Sequence, residues 1–489
     1  MDKSISIIGS GFSSLSAACY LAKQGYNVSV YEKNNDFGGR ARQLKENGFT
    51  FDIGPSFYWM PDIFDRFFND FNKKTSDYYE LTKLNPAYSV YFDENNSIPI
   101  EDSLEKICNR FEKIETGSSI KLKKFILNAR ENYRVAVLDL IYKMPGESPL
   151  ELVTIDTIKK VKYFLTNIRR EVRKDFKSHM LRAILEFPVL FLGAKPSDTP
   201  AFYNFMNYAD FGLGTFQPKN GFYDVVQAMI KLGESLGVSF YNNSNVTKVI
   251  TEKNKVIGLE INEKIIKSDI VVSGADYNFT EKLLPKNLRQ YSDKYWDKRT
   301  LAPSALLFYI GFNKKLNNIE HHNLIFDTDF DQHAVEIYDD PKWPTNPLLY
   351  ASFTSKTHKH TAPEGCENGV FLIPIAPNLD DNKETRKKYL DILIKKLEKV
   401  TKQNLKSNII YLKSYCVNDF VDDYNSYKGN AYGLANTLLQ TAFLRPKLRS
   451  KKVSNLYFCG QLTVPGPGVP PALVSGKLVS DLILKYENN

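Results

Sequence analysis

Cysteine and histidine are scarce in this chain, and the few present do not stand in metal-binding patterns. Its 489 residues include five cysteines and six histidines. The cysteines are scattered and form no CxxC pair: Cys19, Cys108, Cys366, Cys416 and Cys459. The pairs His321–His322 and His358–His360 lack the i,i+4 spacing of helical metal ligands. We therefore expect neither a disulfide framework nor a bound metal, and we expect a reducing compartment.

Long hydrophobic runs are also absent. One of the most apolar windows, Ala305–Phe312 (ALLFYIGF), is far shorter than the about 20 apolar residues that a membrane-spanning helix needs. The start, MDKSISIIGSG, has no basic segment followed by an apolar stretch, so we expect no signal peptide. We predict a cytoplasmic chain, or one that lies on the cytoplasmic face of a membrane without crossing it.

The overall composition is that of a folded protein. Hydrophobic residues make up 43% of the chain and charged residues 25%, which excludes fibrous, collagen-like and low-complexity classes. At about 150 residues per domain, the length indicates about three domains, or two if segments interleave.

The first residues carry the pattern of a dinucleotide-binding βαβ unit. Ser4–Ile8 (SISII) predicts a buried strand, and Asn27–Tyr31 (NVSVY) predicts a second one. Between them, Leu15–Gln24 predicts a helix that ends at Gly25. This order of strand, helix and strand is the context in which a glycine-rich turn binds a nucleotide.

The turn itself supports a phosphate site. Gly9 permits a tight turn, and Gly11 lets the backbone approach a pyrophosphate at the positive end of the helix. Glu32 closes the second strand, where it can accept hydrogen bonds from an adenosine ribose. Ser14 stands in place of the third glycine, and we expect it to enlarge the helix–strand contact slightly.

A second glycine pair follows at Gly38-Gly39-Arg40-Ala41, and then Gly48–Ser56 (GFTFDIGPS). The pair supplies backbone N–H groups, and the Arg40 guanidinium suits a diphosphate. Taken alone, these residues would equally fit an ordinary turn followed by a surface arginine.

These motifs resemble the amine-oxidase-like flavoproteins, and most closely the bacterial-type phytoene desaturases. Further similar blocks are Phe216–Leu232, Asn245–Val249, Ala362–Cys366 and Asn455–Lys477 (NLYFCGQLTVPGPGVPPALVSGK). The resemblance covers most of the chain and is weakest over about residues 100–200. It implies FAD as the cofactor, with Gly460 and Gly468–Pro470 beside the ribityl chain and the flavin ring.

The residues of the last block agree with that implication. Four prolines stiffen the segment, while Gly466 and Gly468 leave no side chain between backbone and ligand. Pro470 or Pro471 suits the first turn of a helix that runs to about Tyr486. Without a ligand, the segment would be a rigid connection from a strand to a helix.

Motifs and resemblance together give a set of candidate cofactor-binding residues. They are Gly9, Ser10, Gly11, Phe12, Ser13, Glu32, Lys33, Gly39, Arg40, Gly54, Pro55, Ser56, Val246, Gly460, Gly468, Val469 and Pro470. We identify no catalytic side chain, since the sequence shows no Ser-His-Asp grouping, no paired catalytic carboxylates and no nucleophilic cysteine context.

Because both ends of the chain contribute to one cofactor site, the predicted fold class is α/β with a discontinuous Rossmann-like FAD-binding domain. The predicted segments are 1–100, 215–290 and 420–489 for this domain, 101–214 for a helical membrane-associating insertion, and 291–419 for a mixed-sheet substrate domain. Apolar spacing predicts helices over Leu104–Ile114 and Ile158–Ile168. Ser304–Phe312, Leu348–Phe353 and Val370–Ile375 predict strands.

Positive charge is concentrated in the insertion. Ile158–Arg182 holds nine basic and two acidic residues, a net +7 of the overall +9. The apolar segment Phe187–Gly193 (FPVLFLG) follows it. This order favours an element that docks on a membrane surface. A solvated helix face is the alternative, and we expect no nucleic-acid partner because no binding motif occurs.

The resemblance implies a linear polyene hydrocarbon as substrate, phytoene converted towards lycopene by successive dehydrogenations. Hydride passes to the flavin, which oxygen or a quinone-type acceptor reoxidises. The 13% aromatic content suits an apolar tunnel for such a substrate. Two alternatives stay open: a related desaturase, oxidase or isomerase of another carotenoid, and a non-catalytic, escort-like protein that binds flavin and lipid. The oligomeric state and the number of steps are left open.

Overall fold

The computed structural model describes residues 3–487, apart from the side chain of Phe191. In chain order, the strands are β1 Ser4–Ile8, β2 Asn27–Tyr31, β3 Gln43–Glu46, β4 Phe49–Asp52, β5 Leu81–Lys83, β6 Tyr88–Tyr91, β7 Ser97–Ile100, β8 Phe216–Pro218, β9 Ser239–Tyr241, β10 Val246–Glu252, β11 Lys255–Ile261, β12 Lys264–Lys267, β13 Ile270–Ser273, β14 Ser304–Phe312, β15 His322–Ile325, β16 Leu349–Ser352, β17 Glu367–Ile375, β18 Ile409–Tyr415 and β19 Leu456–Phe458.

The α-helices are α1 Phe12–Lys23, α2 Pro61–Asn69, α3 Leu104–Ile114, α4 Ser118–Tyr133, α5 Ile155–Lys159, α6 Val161–Phe164, α7 Ile168–Asp175, α8 His179–Glu186, α9 Phe205–Tyr208, α10 Tyr223–Ser235, α11 Tyr277–Lys282, α12 Asp293–Asp297, α13 Phe330–Tyr338, α14 Lys383–Thr401, α15 Val417–Tyr424 and α16 Val469–Glu487. Arg134–Asp139 and Ala209–Leu213 are π-helical.

A parallel sheet of five strands brings distant parts of the chain together. Its order is β19-β13-β1-β2-β9, and every neighbouring pair is parallel. The strands β1 and β2 have the predicted bounds, and β13 is buried along its whole length. Parallel strands are covered on both faces, which explains why β1, β2 and β13 are rich in Ile and Val.

Helix α1 is held tightly between this sheet and the C-terminal helix. Phe12–Ala22 are all buried, as expected of a helix with apolar neighbours on every side. The Ser16 hydroxyl donates to the carbonyl of Leu473 in α16 at 2.7 Å. Where the helices cross, a Cβ at Gly476 would lie 2.5 Å from the Ser13 carbonyl oxygen, so only glycine allows this approach.

A second, mixed sheet of seven strands lies beside the first. Its order is β18-β14-β17-β16-β15-β6-β7, with β15 and β6 parallel and the other pairs antiparallel. Strand β14 has the predicted bounds and is buried throughout. Helix α14 packs its buried side chains, including Tyr389, Leu393 and Leu397, into the apolar core of this sheet.

The insertion is helical, but its basic stretch is not one helix. Helix α3 has the bounds that its spacing predicts, and the Ser103 hydroxyl accepts its capping bond from the N–H of Lys106. The prediction of a continuous helix through Ile158–Ile168 is wrong, because the Asn167 side chain caps a new helix, α7. Ile158 and Leu165 consequently stand 61% and 79% exposed.

The expected surface role of Phe187–Gly193 is also wrong. Phe187, Val189 and Leu192 are at most 6% exposed, because this 3₁₀ segment packs inside the molecule. Part of the positive charge is likewise used internally, since Arg169 and Arg173 both form ion pairs with the buried carboxylate of Glu186. Across residues 3–487, the structure contains no helix with the length and apolarity needed to cross a bilayer.

Candidate active site

One large cavity lies where the carboxyl ends of the parallel strands face the mixed sheet and the insertion. Its volume is about 890 Å³, within the range of pockets that hold cofactors and drug-sized ligands. Every candidate cofactor residue predicted from the sequence lines this cavity. Such a crevice at the strand ends is where open α/β sheets bind their ligands.

The nucleotide end of the cavity is formed by the turn before α1. Gly9 has a φ of +84°, a left-handed conformation that favours glycine. A Cβ on Gly11 would meet no protein atom within 4 Å, so this glycine borders open space. The first N–H groups of α1 lack intrahelical partners and give this space a positive partial charge.

The substitution of the third motif glycine by Ser14 is matched on the neighbouring strand. A Cβ on Gly274, which directly follows β13, would lie 2.0 Å from the Ser14 hydroxyl oxygen. Gly274 therefore leaves room for the Ser14 side chain, and the helix–strand contact need not widen to accept it.

Glu32 ties three sequence motifs together. One carboxylate oxygen accepts the Ser10 N–H at 3.1 Å and the Ser10 hydroxyl at 2.7 Å. The other accepts the Asn34 N–H at 2.9 Å and its amide at 3.0 Å. The Ser10 hydroxyl also accepts the N–H of Gly38 at 3.0 Å. A ribose hydroxyl on Glu32 would therefore replace a bond that the protein already makes.

Arg40 is partly buried at the same end and has spare donor capacity. One terminal nitrogen donates to the Ser426 hydroxyl at 3.1 Å, and the guanidinium lies 4.8 Å from the centre of the Tyr424 ring. Its Nε is buried and has no partner among residues 3–487, and burial lowers the pKa of the group. A partly buried cation with a buried, unpaired donor atom fits an anionic ligand such as a diphosphate.

The backbone at Arg40 packs against the motif Gly54-Pro55-Ser56. A Cβ on Gly54 would lie 2.0 Å from the carbonyl oxygen of Arg40, so the glycine of GPS allows the two segments to touch. Pro55 and Ser56 follow it along the cavity wall.

The C-terminal block forms another part of the wall. Gly460, Gly466 and Gly468 all have positive φ angles, and the N–H of Gly460 donates to the Ser475 hydroxyl at 3.0 Å. Helix α16 begins at Val469, close to the predicted start at Pro470. At Gly460 and Gly468, which line the cavity, the backbone can therefore approach a planar ligand without an intervening side chain.

Some residues that line the cavity or hold Arg40 in place were not predicted from the sequence. Tyr424, Ser426 and Asn430 hold the Arg40 guanidinium, and Asn436 lines the cavity near the C-terminal glycines. The dense alternation of aromatic and polar residues over 420–436 was an available signal, because a plain connecting loop has no need for it.

The rest of the cavity is apolar. Aromatic and aliphatic side chains of the insertion and the mixed sheet line it, among them Leu140, Met144, Phe187, Phe202, Phe205, Phe326 and Leu348. The segment Phe187–Gly193, expected on the surface, thus contributes to an internal wall. This part suits a hydrocarbon ligand.

Two segments that contribute residues to the cavity wall, 150–165 and 438–444, carry exposed apolar side chains, which we call the collar. The collar comprises Leu150, Val153, Ile155, Ile158, Val161, Leu165, Leu438, Leu439 and Leu444, each at least 40% exposed. Its two segments meet through Phe202, which stacks on Phe164, and Tyr203, whose hydroxyl lies 2.9 Å from that of Thr441. A cluster of this kind marks an interaction surface, because single exposed apolar residues are ordinary but contiguous patches are not.

Comparison with known proteins agrees with the resemblance to the amine-oxidase-like flavoproteins. The sequence matches the flavin-containing amine oxidoreductase family over residues 12–484. It is 38% identical to a carotenoid 3,4-desaturase of Haloarcula japonica over 485 residues, with 98% of each chain covered. It is 30% identical to a 4,4'-diapophytoene desaturase (4,4'-diaponeurosporene-forming) of Staphylococcus haemolyticus over 501 residues, again with 98% of each chain covered.

The fold agrees with these matches. The crystal structure of an oxidoreductase from Methanosarcina mazei superposes with a TM-score of 0.64 at 16% identity, covering 98% of this chain and all of the other. The chain belongs to the flavin-containing amine oxidoreductase family, which has this α/β fold with mixed sheets. It is an FAD-dependent oxidoreductase, as the resemblance implied.

Proposed function

We propose that the protein is a carotenoid desaturase that converts phytoene towards lycopene. The observation that carries this proposal is the continuity of one cavity, from the glycine turns at the strand ends, through an apolar interior, to the collar. A hydrocarbon can enter at the collar and reach a cofactor without leaving apolar surroundings. The names of both curated relatives, a carotenoid 3,4-desaturase and a diapophytoene desaturase, support the same substrate class.

The proposed reaction needs no catalytic side chain as nucleophile or hydride acceptor. Each desaturation breaks two C–H bonds on adjacent carbons and forms one C=C bond, with one hydrogen leaving as hydride and the other as a proton. Bound FAD supplies the acceptor of that hydride, and oxygen or a quinone-type compound removes the two electrons afterwards. The aromatic wall of the cavity positions the polyene and excludes water.

The candidate cofactor-binding residues would divide among the parts of FAD. The N-terminus of α1 and Arg40 would hold the diphosphate, and Glu32 would bind the ribose. Lys33 and Val246 would contact the adenosine, while Gly460, Gly468, Val469 and Pro470 would lie beside the ribityl chain and ring. The unpaired Arg40 Nε and the open space at Gly11 support this assignment.

Expression in a host that accumulates phytoene tests the substrate. We expect coloured products, since each added conjugated double bond shifts absorption to longer wavelength, together with a purified protein that carries flavin. The Gly11→Val variant is the matched control, and it should leave phytoene unconverted. Unconverted phytoene in cells that contain the flavin-loaded wild-type protein would contradict the substrate assignment.

A second substrate is favoured by one comparison. The 38% identical relative is a 3,4-desaturase by name, so it acts on a defined bond of a carotenoid. A parallel host that accumulates lycopene distinguishes the two activities. Conversion there, with phytoene left intact in the first host, would move the proposal to desaturation of a later intermediate.

We also propose that the collar docks on the membrane. The exposed apolar side chains reach into lipid, and the neighbouring Lys159, Lys160 and Lys162 contact anionic headgroups, each contributing about 1 kcal/mol at low salt. This places the cavity mouth against the layer in which an insoluble substrate is dissolved. Arg169 and Arg173, which bind Glu186, are excluded from this role.

Co-sedimentation with phosphatidylglycerol-rich vesicles tests the docking. Reversing Lys159, Lys160 and Lys162 to glutamate should weaken binding at low salt and leave flavin content unchanged. The matched control is the same reversal of Lys387, Lys388 and Lys395, which are exposed on α14. Binding that is indifferent to salt and equal in both triple variants would show that the basic residues are simply solvated.

A further inference from the structure

A second buried arginine lies behind the wall on the C-terminal side of the cavity. Arg445 is 1% exposed. It makes five hydrogen bonds, all to carbonyl oxygens: backbone Thr463 (2.8 Å), Gln440 (3.1 Å), Leu434 (3.3 Å) and Gln461 (2.7 Å), and the Asn436 side chain (2.6 Å). Within residues 3–487, no carboxylate lies within ion-pairing distance of it. A buried charge without a counter-charge is costly, so its retention needs a reason.

The arginine fixes the orientation of one cavity-lining amide. A guanidinium has donors only, so the Asn436 side chain must turn its oxygen towards Arg445. Its NH₂ group then points away from Arg445, and it donates to no acceptor among the described residues. Asn436 lines the cavity, and a Cβ on Gly466 would lie within 3.3 Å of its amide atoms.

The occupants of the cavity decide what this NH₂ group can bind. A polyene hydrocarbon offers no hydrogen-bond acceptor, and this step rests on the proposed function. The flavin ring offers carbonyl oxygens and ring nitrogens. Gly466, which lies beside Asn436, stands two residues before Gly468, a residue assigned to the ring. The other acceptors of FAD have residues assigned to them elsewhere, the diphosphate to α1 and Arg40 and the ribose to Glu32. Of the remaining groups, the ring is the one whose electron density changes on reduction, so we take it as the partner of this donor.

We propose that Asn436, positioned by Arg445, donates a hydrogen bond to the isoalloxazine ring and thereby stabilises the reduced flavin. Reduction adds electrons to the ring, so a fixed donor backed by a positive charge interacts more strongly with the reduced than with the oxidised form. The pair sets how readily the enzyme takes electrons from its substrate. Asn436 is thus a flavin-contacting residue, and Arg445 is a positioning residue.

The midpoint potential of the bound flavin tests this directly. In the purified holoenzyme, Asn436→Leu keeps the volume but removes the donor, and we expect about a tenfold loss of preference for reduced flavin. For a two-electron couple this is a fall of about 30 mV, measurable by anaerobic equilibration with a reference dye. The matched control is Asn207→Leu, which removes a buried asparagine bonded to the Leu185 carbonyl and absent from the cavity wall.

A second variant keeps the test valid if leucine disturbs the fold. Asn436→Asp is nearly isosteric and pairs with Arg445, but it has no donor and cancels the positive charge, so we expect a larger fall. Arg445→Lys, which keeps a charge but lacks the planar fork, should also lower the potential by releasing the amide. Thermal stability of the flavin-free protein separates structural damage from this effect.

The outcomes are separable from those of the proposed function. Potentials in both Asn436 variants equal to that of Asn207→Leu would overturn this inference, even in an enzyme that desaturates carotenoids. Lowered potentials in a protein that converts neither phytoene nor lycopene would support it and contradict the substrate assignment alone.

Discussion

At the nucleotide end of the cavity, polar groups are bonded to one another before any ligand arrives, whereas at the collar apolar side chains stand in water. Glu32 accepts bonds from Ser10 and Asn34, and Ser10 in turn fixes the second glycine pair. Leu165 and Leu439, by contrast, are 79% and 76% exposed. One region is preorganised by its own hydrogen bonds, and the other buries its surface only against something external.

Binding therefore depends on preorganised hydrogen bonds at the nucleotide end and on buried apolar area at the collar. Preorganised donors bind an anion with little further loss of conformational entropy, and their loss is felt as a specific defect in affinity. Collar side chains act additively through buried area, with weak dependence on geometry. Variants at the nucleotide end should therefore leave vesicle binding intact, and variants at the collar should leave flavin binding intact.

The largest expected effect is that of Gly11→Val on flavin. No protein atom lies within 4 Å of a Cβ there, so the flavin-free variant should fold normally. The side chain would fill the space assigned to the pyrophosphate, and we expect FAD affinity to fall by more than about 100-fold, about 2.7 kcal/mol. Flavin titration measures this, and vesicle binding should remain at the wild-type level. Stoichiometric flavin in the purified variant would refute the site.

Arg40→Met is expected to weaken FAD by about 10- to 100-fold, because a hydrogen bond to a charged group is worth about 1.5–3 kcal/mol. Arg42→Met is the matched control. Arg42 also lies over the Tyr424 ring, at 5.3 Å, but it pairs with Asp423 and does not line the cavity. Equal losses of affinity in the two variants would show that the Tyr424 stack, rather than a diphosphate contact, matters.

The collar should give an intermediate effect on membranes and none on flavin. Replacing Ile158, Leu165 and Leu439 by serine removes side chains worth about 1.5–3 kcal/mol each when fully buried, and we expect vesicle binding to fall by about 10-fold, since burial in lipid is partial. Serine at Ile265, Ile410 and Leu412, which are exposed on β12 and β18, is the control. A drop of the same size in the control would argue for non-specific adhesion.

The smallest effect on affinity is expected at Glu32. Its oxygens already accept four bonds from the protein, so Glu32→Ala should weaken FAD by only about 3- to 10-fold. The buried donors that it leaves unsatisfied should lower the free energy of unfolding of the flavin-free protein by about 1–3 kcal/mol. Flavin titration and thermal denaturation measure the two changes, and a stability equal to wild type would contradict the structural role.

The nucleotide end could be predicted from the sequence because its chemistry is local. Gly9 and Gly11 lie within one turn, and the flanking strands keep the predicted bounds. The left-handed backbone at Gly9 favours glycine, and the open space beside Gly11 is what a ligand needs. Ser14 shows the limit of such reasoning, since its complement, Gly274, is more than 250 residues distant.

The insertion could not be predicted in the same detail. An apolar segment such as Phe187–Gly193 has the same composition whether it faces lipid or lines a cavity, and only tertiary contacts decide. Charge counts fail similarly, because Arg169 and Arg173 are paired with Glu186, which follows them in sequence by a full helix. Arg445 was overlooked because four of its five partners are backbone carbonyls, which leave no pattern in the sequence.

The strand order of the parallel sheet has a consequence for biosynthesis. Strand β1 pairs with β13, and β13 pairs with β19, so the wall of the cavity is complete only when Leu456–Phe458 have been made. At about 5–20 residues per second, ribosomes need roughly 20–90 seconds to travel from β2 to β19. During that interval the glycine turn before α1 has no wall on its C-terminal side. We therefore expect stable flavin binding only after the C-terminal block has been synthesised.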